Sequence, residues 1–414
     1  MIKKISLLFI AAFLLRIVLI NVAFHGDLYN NLSWGQAAVK FGLKGFYERT
    51  LWSHSAPNQP PLYILLFAFT SWVYQTITNL SWYLNSHFSF FPSSFIWFWQ
   101  NNGNIILLKL PGIFADLGIG YLIYKKVGIK FAALWLFNPI TWYNSAIWGQ
   151  TDAIVNLFGL ISVLYLLKKD LVKSVLFFVI STLFKGSLTI FLPILILVWI
   201  LQKHDIKEWI KAILISGIVT ILISVWFHPN FDLPIWLFNL YTQRFFPGEI
   251  GYLTANAFNL WYLVNPGKIL DNIKYFGISA HLIGYMFTSI ISIALIVKTR
   301  KKVTQEKNVL FLLAMMGLTT FLFFTRIHER YLYPFFPVAT ILVALIPEFI
   351  IPYIILSFVF LLNMYNLFWA PGIPVLENLL VKTNLPNILS IINLITFVFV
   401  FIWFFIYKRY NLRK

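Results

Sequence analysis

Of the 14 acidic residues in this chain of 414, two stand in short polar stretches whose neighbours are suited to catalysis. Asp27 lies in His25-Gly26-Asp27-Leu28-Tyr29, directly after an apolar N-terminal run. It is followed by Trp34-Gly35-Gln36, Gly45-Phe46-Tyr47 and Gln59-Pro60-Pro61-Leu62-Tyr63. A carboxylate at such a boundary is poorly solvated, so its pKa is expected to rise toward that of a useful general base. Asp152 follows Asn138-Pro139 in the stretch Ser145-Ala146-Ile147-Trp148-Gly149-Gln150-Thr151-Asp152-Ala153. If the two carboxylates converge, they either hold a divalent cation, Mg²⁺ or Mn²⁺, with water and phosphate oxygens, or divide into a base and an acceptor-orienting residue. The competing reading of each is a cap, Asp27 for its loop and Asp152 for the helix that begins there.

Two cationic sites accompany them. Lys185, in Leu183-Phe184-Lys185-Gly186-Ser187, has a glycine and a hydroxyl beside it, which suits a phosphate contact or a lysine snorkelling to the interface. Arg326-Ile327-His328-Glu329-Arg330-Tyr331 packs four ionisable groups between two strongly apolar runs. Arginine offers paired donors to phosphate oxygens, and histidine adds a proton or a hydrogen bond. The donor-phosphate candidates are therefore Lys185, Arg326, His328 and Arg330, and the acceptor-side candidates are Asp152, Gln150 and Glu329. No His-x-x-x-His or comparable ligand spacing occurs, so zinc is not expected. Arg16 and Asp116 fall inside apolar runs, where each must pair or line a cavity.

The elements that must position these residues follow from composition. Apolar side chains make up 60% of the chain, charged ones 11%, and the mean hydropathy is +0.79. Soluble domains carry roughly 25% charged residues. Repeated apolar runs near the roughly 20 residues of a bilayer-crossing helix imply an all-α, polytopic transmembrane helical bundle. The net charge of +18 would suggest nucleic acid on a soluble chain. Here 20 of the 32 cations fall in clusters beside apolar runs, at Lys3-Lys4, Lys125-Lys126-Lys130, Lys168-Lys169-Lys173, Lys203-Lys207-Lys211, Lys298-Arg300-Lys301-Lys302-Lys307 and Lys408-Arg409-Arg413-Lys414. That is the positive-inside pattern, and it makes these clusters cytoplasmic. With no cysteine, disulfides, thiolate metal sites and a cysteine nucleophile are excluded. The first apolar run holds Arg16, suits a full span and lacks a small-x-small cleavage site before His25, so it reads as an uncleaved helix.

On this basis crossings are expected near 5–24, 104–124, 131–147, 149–167, 172–184, 187–201, 209–227, 278–297, 309–325, 332–347, 350–369 and 389–407. That gives about 12 spans with both termini cytoplasmic. Parity leaves 61–78 and 90–100 either as a crossing hairpin, for up to 14 spans, or as interfacial helices on the outer face. Two long outward segments, 25–60 and 228–277, are rich in Trp, Tyr, Phe and Pro, which argues against disorder. The site then faces outward at the cell membrane.

Taken in order, these segments resemble the polytopic glycosyltransferases of the GT-C class, most closely the bacterial proteins related to the second mannosyltransferase of GPI-anchor synthesis. Asp27 matches the acidic residue that the class places after its first helix, and Pro60-Pro61-Leu62-Tyr63 its Pro-Pro-Leu-Tyr-like segment. Lys109, Pro111, Asp116 and Lys125-Lys126 match a Lys-x-Pro...Asp helix ending in a basic pair. Asp152 falls at the acidic position of the second outer loop, and Asn256-Ala257-Phe258-Asn259-Leu260-Trp261 and His328-Glu329-Arg330-Tyr331 are similar to later outer-loop signatures. The Asp-x-Asp pair is missing, so the resemblance firmly implies no cofactor and no metal; a divalent cation, if one is used, would sit at Asp27 and Asp152.

The resemblance implies a single membrane domain, 1–414, made of a catalytic module, 1–227 with outer loop 25–60, and a variable C-terminal module, 228–414 with outer loop 228–277. It implies transfer of a hexose, with mannose expected, from a polyprenyl-phosphate donor to a glycan, lipid or protein acceptor at the outer face. Asp27 would be the base, and no nucleic acid would be involved. A flippase or transporter of lipid-linked saccharides, and a lipid-diphosphate-dependent glycan ligase or polymerase, are the alternatives. The first would put functional polar groups near the midplane; the second would rely on the Arg-His cluster without Asp27.

Overall fold

The computed structural model describes residues 2–50, 52–246 and 250–411, and of these the side chains of 4–406. Arg413 and Lys414 of the C-terminal basic cluster lie outside the described residues, as do the side chains of Lys3, Lys408 and Arg409. The chain is helical almost throughout; its one sheet among the described residues is the two-stranded hairpin Lys274–Tyr275 and Ile278–Ser279.

Helix α1 (Ile2–Leu19) leads to α2 (Gly26–Phe41), α3 (Pro61–His87) and α4 (Ser93–Val127). Short helices α5 (Ile129–Leu136) and α6 (Pro139–Trp142) precede α7 (Asp152–Leu167), α8 (Leu171–Phe184), α9 (Leu192–Leu201) and α10 (Ile206–Ser224). The second half holds α11 (Leu233–Leu240), α12 (Leu260–Val264), α13 (Ala280–Thr299), α14 (Glu306–Phe323), α15 (Phe335–Leu345), α16 (Ile350–Leu367), α17 (Pro374–Lys382) and α18 (Leu385–Asn411). Among the described residues, five stretches are long and apolar enough to cross a membrane: Ser93–Val127, Ala280–Thr299, Glu306–Phe323, Pro347–Leu367 and Leu385–Ile406. Four apolar helical stretches, in α7, α8, Gly186–Leu201 and α15, are shorter.

Three stretches differ from the sequence expectation. The expected crossing at 131–147 is broken into α5, α6 and a wide π-turn at Tyr143–Trp148. Pro139 has no N–H to continue α5 and biases Asn138 away from helical geometry, and the Asn138 side chain caps the restart by accepting from Ile140 N at 3.2 Å. The expected span 332–347 is reduced to α15, because 326–334 turns back on itself. Residues 90–100 are not a separate element but enter α4, whose 35 residues run roughly 52 Å, well beyond a bilayer core of about 30 Å. The first turns of α4 pack against α3, where Trp99 stacks on Tyr74 and its Nε1 donates to Thr78 Oγ1 at 3.2 Å.

α7 separates two ends of the bundle by roughly 24 Å. At one end are Lys168 and, on α4 and α14, the pair Lys126–Glu306 at 2.9 Å. At the other are Asp152 and Lys185. Between them a buried polar network joins α1 to α4. Arg16 Nε lies 3.4 Å from Asp116 Oδ2, which also accepts from Ser145 Oγ at 2.5 Å, while Tyr333 Oη donates to Asp116 Oδ1 at 2.6 Å. Arg16 further donates to Leu136 O and Thr141 Oγ1, so both charges expected to be costly in lipid are paired.

Candidate functional site

The site gathers where α1 ends and the π-turn meets α7. Lys109 of α4, 1% exposed, donates to three backbone carbonyls, Ile20 O at 2.7 Å, Ala23 O at 2.6 Å and Ile147 O at 2.8 Å. It thereby ties the turn that follows α1 to the π-turn, and so brings the segments of Asp27 and Gln150 side by side. Gly149 takes a positive φ of 85° with Leu28 and Lys109 packed against it, where a side chain would be strained. Gly112 lets the backbone of Gln150 rest on α4, since a Cβ there would sit 2.9 Å from Gln150 O.

Neither aspartate is a cap. His25 caps α2, its Nδ1 accepting from Asp27 N at 3.0 Å, and the Asp27 side chain is left half-buried at the cavity. Asp27 Oδ2 accepts from Gln150 Nε2 at 2.7 Å, with His25 Nδ1 at 3.5 Å and Arg330 Nη2 at 3.9 Å. Asp152 opens α7, where its Oδ1 meets Lys185 Nζ at 3.0 Å and its Oδ2 accepts from Asn144 Nδ2 at 3.3 Å.

The expected rise of the Asp27 pKa is not what the structure gives. Burial does push it up, but Arg330, His25 and the Gln150 amide outweigh burial and hold it below the ordinary aspartate value. Burial in turn lowers His25, whose ring lies edge-on to Trp148 and Phe368. Arg330 is raised: burial opposes its charge, and the carboxylates of Glu329, Asp27 and Asp152 more than compensate. Glu329, also disfavoured by burial, is held low by Arg330 and His328.

One cavity of about 670 Å³ brings Asp27, Gln150, Asp152, Lys185, Arg326, His328 and Arg330 together on its wall. Glu329 is not on that wall. It is fully buried behind Arg330, accepting from Arg330 Nη1 at 2.6 Å, and so orients this guanidinium. Arg326 reaches the cavity with its guanidinium committed to Asp271, at 2.7 Å from Nε to Oδ2 and 3.1 Å from Nη2 to Oδ1. His328 joins its backbone to Ala255 and Asn256, and its ring lies 5.0 Å from that of Tyr331. The 256–261 segment is a brace, with Trp261 Nε1 donating to Phe323 O at 2.7 Å and Asn259 Nδ2 to Phe321 O at 3.1 Å.

Among the described residues no group of three His, Asp or Glu side chains comes together. A dication at Asp27 and Asp152 would draw its other ligands from water and phosphate oxygens, and would share these carboxylates with Arg330 and Lys185.

Several wall residues were not singled out from the sequence. Asn30, Asn31, Ser55, Asn58 and Arg244 add polar groups to the wall, and Ile190, Phe246, Tyr285, Phe321 and Phe324 aliphatic and aromatic ones. Asp27, Asn30, Asn31 and Trp34 carry a readable signal, the i, i+3, i+4, i+7 spacing of one helix face. Arg244 and Tyr285 carry none, for only the fold puts them on the same cavity wall as Asp27. Compared with models of known protein families and with curated proteins, the chain matches none.

Proposed function

We propose that this protein is a membrane glycosyltransferase that moves a hexose, mannose by its resemblance, from a polyprenyl-phosphate donor to a hydroxyl acceptor at the outer face of the cell membrane. The observation that carries this reading is one cavity whose wall combines charged and apolar groups. Its Asp27, Asp152–Lys185 and Arg330 groups share a wall with Tyr285 of α13 and Phe321 of α14, two helices long and apolar enough to cross a bilayer. A substrate with an anionic head and a hydrocarbon tail matches that combination.

In this reaction Arg330 and Lys185 offset the charge that develops on the leaving phosphate. The acceptor oxygen forms the new bond to the anomeric carbon. The bond from that carbon to the phosphate oxygen breaks, its electron pair leaving with the polyprenyl phosphate, and the acceptor proton passes to Asp27. A carboxylate held ionised by Arg330 is ready to accept that proton as the hydroxyl becomes acidic in the transition state. Toward the basic end of the bundle, Arg16, Asp116, Ser145 and Tyr333 bind one another, which favours transfer over passage of a saccharide through the bundle. Purified protein incubated with polyprenyl-phosphate mannose and, separately, glucose tests the reading. Release of sugar from neither lipid, by folded protein given a range of hydroxyl acceptors, would remove it.

A further inference from the structure

The cavity-facing stripe of α2 is the opposite of what a packing helix carries. At the spacing where an amphipathic helix sets its apolar residues, α2 presents to the cavity Asp27, Asn30, Asn31 and Trp34. The two amides are oriented by the wall itself. Asn30 Oδ1 accepts from Ser55 N at 3.1 Å, and Asn31 Oδ1 accepts from Tyr63 Oη at 2.9 Å, while Trp34 Nε1 donates to Ser55 O at 2.9 Å. Each amide thus has its oxygen committed to the protein and its NH₂ end available to an occupant. Asn58 and Gln59, joined by a hydrogen bond of 3.1 Å from Gln59 Nε2 to Asn58 Oδ1, and Arg244 line the same cavity.

We propose that this polar part of the cavity wall is a saccharide subsite, and that the acceptor is a sugar bearing adjacent free hydroxyls, one of them delivered to Asp27. Planar amides present donors and acceptors at fixed spacing, which suits neighbouring hydroxyl groups. Asp152, the other carboxylate on the wall among the described residues, is paired with Lys185, which leaves Asp27 as the carboxylate beside these amides on the α2 face. A lipid alcohol would need apolar groups around it, where α2 sets two amides. A peptide bound by strand addition would need a free strand edge. The only sheet among the described residues is the 274–279 hairpin, none of whose residues is on the cavity wall. Asp27 and Gln150, hydrogen-bonded at 2.7 Å, share that wall with the amides.

Delivery to Asp27 rests on the transferase reading; the binding of sugar does not. Saturation-transfer NMR on the full chain in detergent, with a panel of methyl glycosides and a mannobiose, should show binding. Asn30→Ala and Gln59→Leu should weaken it on the order of tenfold, about one hydrogen bond each. Polyprenyl-phosphate mannose should then be transferred to the bound sugar, with the acceptor KM raised similarly in both variants. Donor KM should be unchanged, and the melting temperature should fall only by what the loss of one wall hydrogen bond accounts for, which separates loss of a contact from loss of the fold. Preferential binding of a Ser/Thr peptide or a short alkanol, or a donor KM that moves as much as the acceptor KM, overturns the proposal. Sugar binding that falls in the variants while the donor stays unused keeps the subsite and removes the transferase. Donor turnover without any sugar binding does the reverse.

Discussion

Asp27 is surrounded by Arg330, His25 and Gln150, which together keep its carboxylate charged against the effect of burial. Substitution Asp27→Asn keeps size and most hydrogen bonding but cannot take the acceptor proton, so turnover should fall by about 10² or more with donor binding retained. Near wild-type transfer by a folded Asp27→Asn protein would move the base elsewhere, to Asp152 first. The direction of the pKa shift adds a second test. A pKa held below the ordinary value keeps the base active to lower pH, so the acid limb of the turnover profile lies below the usual aspartate range. In Arg330→Gln the pKa rises and the residual activity should lose its acid limb at higher pH; an unmoved limb would uncouple the two residues. Arg330→Ala should also lose about 2 to 4 kcal/mol of transition-state stabilisation in kcat/KM, while Lys268→Ala, in an exposed loop, should lose little. Equal losses at both would point to the overall charge of this face.

At the scale of elements, the Lys185–Asp152 pair ties the end of α8 to the start of α7, with 12% and 5% of the side chains exposed. Removing one partner leaves the other charge buried and unpaired. Lys185→Met should therefore destabilise the protein by about 3 to 5 kcal/mol, and adding Asp152→Asn should restore most of the melting temperature without restoring donor use. If the double variant recovers both, Lys185 holds the helices together and does not bind phosphate. The turn at Gly149 is a second such joint. Its positive φ strains any side chain, and Leu28 and Lys109, 3.0 Å from where a Cβ would sit, would have to give way. Gly149→Ala should displace Gln150 from Asp27 and lower turnover more than it lowers the melting temperature.

For the molecule as a whole, the basic clusters and the cavity occupy opposite ends of α7, which predicts opposite sides of the membrane. Single cysteines can be read without background because the chain has none. Lys268→Cys should be labelled by a membrane-impermeant reagent from outside, and Lys130→Cys only after the cytoplasmic side is opened. Labelling of both from one side would contradict the positive-inside assignment and the outward-facing site with it.

Composition and the placement of charge alone determined that this chain is a helical membrane protein, because apolar runs of that length and lysines at their ends leave few other solutions. The polar stretches at 25–29, 145–153 and 326–331 were legible as well, since charge among apolar runs is costly and marks either pairing or use. What each charge faces was decided only by the tertiary structure. The Asp27 pKa depends on an arginine 303 positions away in the chain; Glu329 turns behind Arg330 because its neighbour's guanidinium needs a buried partner; Arg326 is taken by Asp271. The α2 stripe lay in the sequence with its helical spacing intact, yet nothing local says that it faces a cavity in place of a neighbouring helix. That depends on where α3 and α13 begin and α8 ends, and chain segments hundreds of residues apart set it together.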